Sequence, residues 1–184
     1  GADLFESTAA ENIGAMILAS SLAIHLKVSP EIAFGVMMFP LVARAFGIVA
    51  SIIGLFFTKI REDQDPMDGL NRGYYVTTFL AIIGFFIATR WLLTIDAVVH
   101  PEAESAWFYF FLCGVIGIAM AQGFVYITQY YTEYKYRPVK SIAEASQTGP
   151  ATNIIAGMAV GLECTAIPVI AISIAIIGSY YLGN

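Results

Sequence analysis

The first long apolar stretch of the chain is Ile13-Gly-Ala-Met-Ile-Leu-Ala-Ser-Ser-Leu-Ala-Ile-His-Leu26, and it follows an acidic segment that contains Asp3 and Glu6. A segment of this kind is expected to be helical in a lipid bilayer, where every backbone polar group needs a partner within the chain. A carboxylate at the bilayer centre costs about 2.5–3.5 kcal/mol on insertion scales, so it persists where it has a partner or a function. The start of this helix is therefore the first candidate for a functional site.

Acidic and hydroxyl side chains recur along this first segment. Asp3, Ser7 and Glu11 are spaced by four residues, and Glu6 lies three residues after Asp3. Residues three and four apart lie close together on a helix surface. The pattern predicts a polar helix face of the kind that lines an ion path through a helix bundle.

The composition is that of a membrane protein. Hydrophobic residues make up 58% of the 184 positions and charged residues 12%, whereas a soluble domain carries about 25% charged residues. No basic tract is present, which argues against nucleic acid as a partner. Cys113 and Cys164 each lie in an apolar run, so we expect buried free thiols rather than a disulfide or a metal site.

The predicted fold class is all-α, a polytopic membrane helix bundle forming a single transmembrane region over 1–184. Its five helices are expected at about 3–26, 32–59, 74–99, 106–131 and 151–182. The last segment is long for one straight span and contains Pro168. We therefore expect a kink or break near 164–168. A short surface helix is predicted over 141–146.

Loop charges predict the orientation in an integral membrane protein, which we expect in the bacterial inner membrane. The loops near 60–73 and 133–149 carry most of the basic residues, which are Lys59, Arg61, Arg72, Lys135, Arg137 and Lys140. The positive-inside rule places such loops in the cytoplasm. The first helix would then run outward, with Asp3 near its cytoplasmic end.

Three stretches resemble one family, the membrane-bound pyrophosphatases. Gly1-Ala-Asp-Leu-Phe-Glu-Ser7 resembles the segment that directly follows the family's first aspartate-rich catalytic motif. Thr148-Gly-Pro-Ala-Thr-Asn-Ile-Ile-Ala-Gly157 resembles the helix before its second acidic segment. The motifs Tyr130-Tyr-Thr132 and Tyr136-Arg-Pro-Val139 also match in order. The resemblance covers essentially the whole chain.

The resemblance implies a homodimer whose subunits have about sixteen membrane-crossing helices, of which this chain would be the sixth to about the tenth. Such proteins hydrolyse magnesium-bound pyrophosphate and pump Na⁺ or H⁺ outward. The start at Gly1 and the end at Asn184 lead us to expect a piece of such a protein. No catalytic or metal-binding residue is expected within it, so Mg²⁺, and K⁺ where required, would be bound by residues outside this piece.

The resemblance assigns three ion-gate positions to this chain. Asp3 matches the gate aspartate, which in the family pairs with basic residues of neighbouring helices. Glu6 matches a gate glutamate found one turn early in sodium-pumping members, whereas plant proton pumps carry theirs where this chain has Ala10. Ser7 matches a polar residue beside the sodium site. Glu6 favours Na⁺, but some bacterial proton pumps share it, so H⁺ stays open.

Two other functions fit the same residues. A non-enzymatic cation channel or secondary transporter would also use an acidic pore helix, and it would run without pyrophosphate hydrolysis. In a structural membrane subunit, the carboxylates would only hold helices together. The roles of Glu11, Arg44, Arg90 and Glu163 are left open by the sequence.

Overall fold

The computed structural model describes residues 1–59, 66–93 and 106–183, with the side chain of residue 106 excluded. Within these ranges the chain forms helices and no strand. In chain order they are α1 Ala2–His25, α2 Pro30–Leu55, α3 Pro66–Leu92, α4 Ala106–Thr132, α5 Arg137–Ser146 and α6 Pro150–Gly183. The all-α prediction is confirmed.

Four segments of the described residues are long and apolar enough to cross a membrane. They are Pro30–Leu55, Pro66–Leu92, Trp107–Ser146 and Pro150–Gly183. The predicted class, a polytopic helical membrane protein, is confirmed. Helix α1 is not among the four. The mean hydropathy of its first three turns is lowered by four polar residues, Asp3, Glu6, Glu11 and Asn12. A fifth crossing by α1 stays a prediction.

The start of the third helix differs from the prediction. Helix α3 begins at Pro66, inside the predicted polar loop and ahead of the expected start at 74. Proline is well placed there, because its missing N–H has no intrahelical partner in the first turn and its fixed φ suits a helix. Asp68 follows in the first turn, where the helix dipole favours a negative charge. Loop residues 60–65 and the predicted helix end at 94–99 lie outside the described residues.

Of the kink or break predicted near 164–168, the break is wrong, because α6 continues through Pro168 to Gly183. A kink at this proline stays a prediction. A proline removes one backbone hydrogen bond from a helix. The carbonyl that loses its usual amide partner is that of Cys164, four residues before the proline. Membrane helices tolerate an internal proline where neighbouring groups or small local adjustments satisfy such a carbonyl.

Backbone contacts divide the chain into two compact units, Gly1–Gly114 and Val115–Asn184. In the first unit α1 packs on α2, and α2 packs on α3. In the second unit α5 packs on α6. This division does not decide whether 1–184 forms one transmembrane region, which stays a prediction.

Small residues allow α2 and α3 to pack closely. A Cβ atom built on Gly54 would lie 2.9 Å from the carbonyl oxygen of Gly73, and one on Gly35 would lie 2.9 Å from the carbonyl oxygen of Leu92. The early part of α2 therefore meets the end of α3, and the end of α2 meets the early part of α3, so the two helices are antiparallel. Close backbone approach at glycine is a common way for helices to associate in lipid.

Aromatic rings join α3 to the first half of α4. The rings of Phe86 and Phe111 lie 5.4 Å apart in a T-shaped arrangement, and those of Phe86 and Trp107 lie 5.6 Å apart. Edge-to-face ring pairs contribute about 0.5–1.5 kcal/mol beyond the area that they bury. Gly114 lies against the ring of Phe85, which leaves no room for a larger residue. The first unit is thus held by small residues on one face of α3 and by aromatic residues on another.

Candidate functional site

The three predicted site residues lie in the first two turns of α1. Gly1 is the N-cap residue of this helix. Its carbonyl oxygen accepts a hydrogen bond from the Phe5 amide at 3.1 Å. Asp3 belongs to the first turn, where exposed amide groups and the helix dipole stabilise a carboxylate. Glu6 and Ser7 follow on the next turn. The sequence therefore places anionic charge at the helix end that favours it.

The structure brings Ser7 together with Glu11 rather than with Glu6. The Ser7 hydroxyl donates a hydrogen bond to Glu11 Oε1 at 3.5 Å, which is a long and weak bond. Asp3 and Glu6 are exposed, and the described residues offer neither a hydrogen bond nor an ion pair to either carboxylate. Glu11, whose role the sequence left open, is the residue that Ser7 contacts.

Three carboxylates within three turns therefore have no compensating cation in the part of the chain that is described. Residues three or four apart with like charge destabilise a helix by a few tenths of a kcal/mol. Apolar neighbours are exposed as well, with Leu4 and Phe5 at 71% and 77% of their full accessibility. This end of α1 offers carboxylate oxygens that can take up a proton or contribute ligands to a hard cation.

The described residues hold no group of three or more His, Cys, Asp or Glu side chains that is suited to a metal ion. Cys113 and Cys164 are not joined in a disulfide, and both are half-buried. The residues present therefore do not fit a magnesium site, and no chemical step through Mg²⁺ is assigned to this chain.

The whole chain matches a known family. The sequence model of the inorganic H⁺ pyrophosphatase family matches residues 1–184. The chain belongs to this family. The resemblance of its first seven residues and of 148–157 to membrane-bound pyrophosphatases is confirmed. No solved structure matches the chain.

Curated members of the pyrophosphatase family align over the full length of the chain. The chain is 57% identical over 185 residues to the "K(+)-insensitive pyrophosphate-energized proton pump 2" of Moorella thermoacetica, covering 100% of the chain and 25% of that protein. It is 48% identical over 191 residues to the "Pyrophosphate-energized membrane proton pump 3" of Arabidopsis thaliana, covering 100% and 23%. The chain thus spans about a quarter of the length of these relatives.

A contact between α4 and α6 of this pyrophosphatase chain was not foreseen. The Tyr131 hydroxyl donates a hydrogen bond to Glu163 Oε1 at 3.4 Å. The two residues are 32 positions apart on different helices, so neither periodicity nor motif spacing could have paired them. The bond is long, and it gives Glu163 a contact that links the end of α4 to the middle of α6.

Replacing Tyr131 by Phe should lower the stability of the second unit by about 0.5 kcal/mol, the lower end for a hydrogen bond, because the bond is long and Glu163 is exposed. Thermal unfolding of the purified full-length protein measures this change. The control is Tyr130→Phe: its ring meets that of Tyr131 edge-to-face with the centroids 5.1 Å apart, and no hydrogen bond of its hydroxyl is described. Equal losses in the two variants would contradict the role given to the Tyr131–Glu163 bond.

The sequence leaves the roles of Arg44 and Arg90 open, and the structure gives these two side chains different surroundings. The Arg90 guanidinium carbon lies 5.7 Å from the ring centroid of Trp107, a cation–π distance that contributes about 0.5–1 kcal/mol at an exposed site. Arg90 therefore serves packing between α3 and α4. Arg44, in the middle of α2, has an exposed side chain, and the structure assigns it no function.

Proposed function

We propose that this chain is the ion-gate portion of a longer membrane pyrophosphatase, which couples pyrophosphate hydrolysis to outward ion pumping. The observation that carries the proposal is the family match over residues 1–184, combined with the uncompensated carboxylates at the start of α1. In this account Asp3 and Glu6 line the ion path, and Ser7 with Glu11 forms its polar wall. The hydrolytic groups belong to the remainder of the full-length protein.

H⁺ is the proposed transported ion. The position of Glu6 alone favoured Na⁺, but the relatives at 57% and 48% identity are named as proton pumps. The geometry supports the same choice, because a sodium site needs several converging oxygen ligands. Ser7 is directed to Glu11 instead of joining Glu6. A single exposed carboxylate is sufficient to accept and release a proton.

The remaining properties of the full-length protein follow from the same proposal. Pyrophosphate would be bound with Mg²⁺, and K⁺ would not be required, as the name of the 57%-identical relative states for that protein. The protein would be a homodimer in a bacterial cytoplasmic membrane. The segments near 60–73 and 133–149 would face the cytoplasm, which places the start of α1 on the side where hydrolysis occurs.

Pyrophosphate-driven acidification of vesicles that contain the full-length protein tests the choice of ion. We expect the same initial rate of acidification with and without added Na⁺, and the same rate with and without K⁺, because Glu6 exchanges a proton. A protonophore should abolish the signal. A strict requirement for Na⁺, with uptake of labelled sodium and no acidification, would contradict the proton assignment while leaving the pump assignment intact.

A further inference from the structure

A cavity with cationic and aromatic walls lies at the junction of α2 and α3. Its volume is about 530 Å³, and its lining residues are Phe56, Phe57, Lys59, Arg72, Tyr75 and Val76. All six belong to the first compact unit, at the end of α2 and within the first three turns of α3. The cavity therefore combines two positive charges with an apolar floor.

The two cations of the cavity have no acidic partner in the part of the chain that the structure describes. Lys59 and Arg72 are both exposed, and neither forms an ion pair with a carboxylate among the described residues. Asp68 lies one helical turn before Arg72, at a spacing that permits pairing, yet it is not within ion-pair distance in this structure. A Lys and an Arg that share one cavity are suited to a phosphate group, which Arg binds through two parallel hydrogen bonds.

The position of the cavity relative to a membrane decides what kind of phosphate fits. It lies at adjoining ends of two helices that are long and apolar enough to span a bilayer. Phe56, Phe57 and Tyr75 are exposed there, as aromatic residues are at the level of lipid headgroups. A soluble phosphate would gain nothing from these rings, whereas the glycerol and upper acyl chains of a lipid would cover them.

We propose that this cavity binds the phosphodiester headgroup of an anionic phospholipid, with the phosphate between Lys59 and Arg72 and the acyl chains along Phe56, Tyr75 and Val76. Basic pockets between membrane helices are sites of this kind in other proteins. The proposal does not depend on pyrophosphate hydrolysis, because it concerns binding by the resting protein. A protein that failed to pump would still be expected to hold the lipid.

Native mass spectrometry of the full-length protein in neutral detergent measures the binding directly. The probes are dioleoylphosphatidylglycerol, dioleoylphosphatidylcholine and inorganic phosphate. We expect phosphatidylglycerol to bind the parent at least about tenfold more tightly than phosphatidylcholine, and Lys59→Gln/Arg72→Gln to remove that preference. The charge-preserving pair Lys59→Arg/Arg72→Lys should retain it.

The matched control is Arg137→Gln/Lys140→Gln, which removes the same two charges from exposed positions on α5. It should leave the preference for phosphatidylglycerol unchanged. An equal loss in the control, or an unchanged preference in Lys59→Gln/Arg72→Gln, would overturn the proposal. Displacement of the lipid by an equal concentration of inorganic phosphate would overturn it too, since the cavity would then be a site for free anions.

If the double variant is not recovered folded, each single Gln variant should bind phosphatidylglycerol more weakly than the parent, and parental affinity in both would overturn the proposal.

Discussion

Replacing Glu6 by Gln in the full-length protein is expected to reduce pyrophosphate-driven ion transport to the level of vesicles without protein. The amide has nearly the shape of the carboxylate, but it neither binds a proton near neutral pH nor carries a charge. Glu6 is exposed and forms no hydrogen bond or ion pair with the described residues, so the substitution removes the charge without breaking such an interaction. Acidification or cation uptake in vesicles, normalised to the amount of protein inserted, measures the effect.

Glu31→Gln is the control for the Glu6 variant. Glu31 is also an exposed carboxylate near the start of a long helix, in this case in the first turn of α2. It lies at the opposite end of the α1–α2 pair from Asp3 and Glu6, because a short turn joins the end of α1 to the start of α2. Transport should be retained in Glu31→Gln. Parental transport in Glu6→Gln would remove Glu6 from the ion path.

The second large effect is expected at the crossing of α2 and α3. In Gly54→Ala the new Cβ would collide with the Thr77 hydroxyl and would lie 2.9 Å from the Gly73 carbonyl oxygen. Threonine is stiff about χ1, and the carbonyl belongs to a helix backbone, so the helices must separate. We expect a loss of about 1–3 kcal/mol in the free energy of unfolding, as for other overpacked sites.

Gly47→Ala separates this collision from the intrinsic effect of adding a methyl group. Gly47 is on the same helix, and a Cβ there would meet nothing within 4 Å. Alanine is favoured over glycine in a helix by about 1 kcal/mol, so Gly47→Ala should be neutral or mildly stabilising. The midpoints of thermal unfolding of the two full-length variants measure the difference. A Gly54→Ala protein as stable as Gly47→Ala would contradict the close crossing.

The fold class and the approximate helices follow from local information. Long apolar runs with few charges predict α2, α3, α4 and α6, because a membrane helix satisfies its own backbone. The errors lie where local rules compete. The polar residues after Pro66 resemble a loop, yet proline at a helix start and Asp68 in the first turn favour helix. Pro168 resembles a break, yet α6 continues through it, because membrane helices tolerate an internal proline better than soluble helices do.

The candidate site was predictable only in part. Asp3, Glu6 and Ser7 were identified from spacing and family resemblance, and their position at the start of α1 follows from the sequence. The preference of Ser7 for Glu11 depends on a side-chain rotamer that spacing does not determine. The Tyr131–Glu163 bond and the cavity at Lys59 and Arg72 arise from helices packing together, so no local pattern contains them.

We propose that pyrophosphate hydrolysis and ion movement past α1 are one coupled process in the full-length protein. The decisive experiment records magnesium-dependent phosphate release and proton uptake simultaneously in sealed vesicles that contain this protein. We expect both signals to start with added pyrophosphate, and we expect a protonophore to abolish the pH gradient while phosphate release continues or accelerates. Ion movement driven by an imposed gradient, with no phosphate release from pyrophosphate, would contradict the account and favour a channel or secondary transporter.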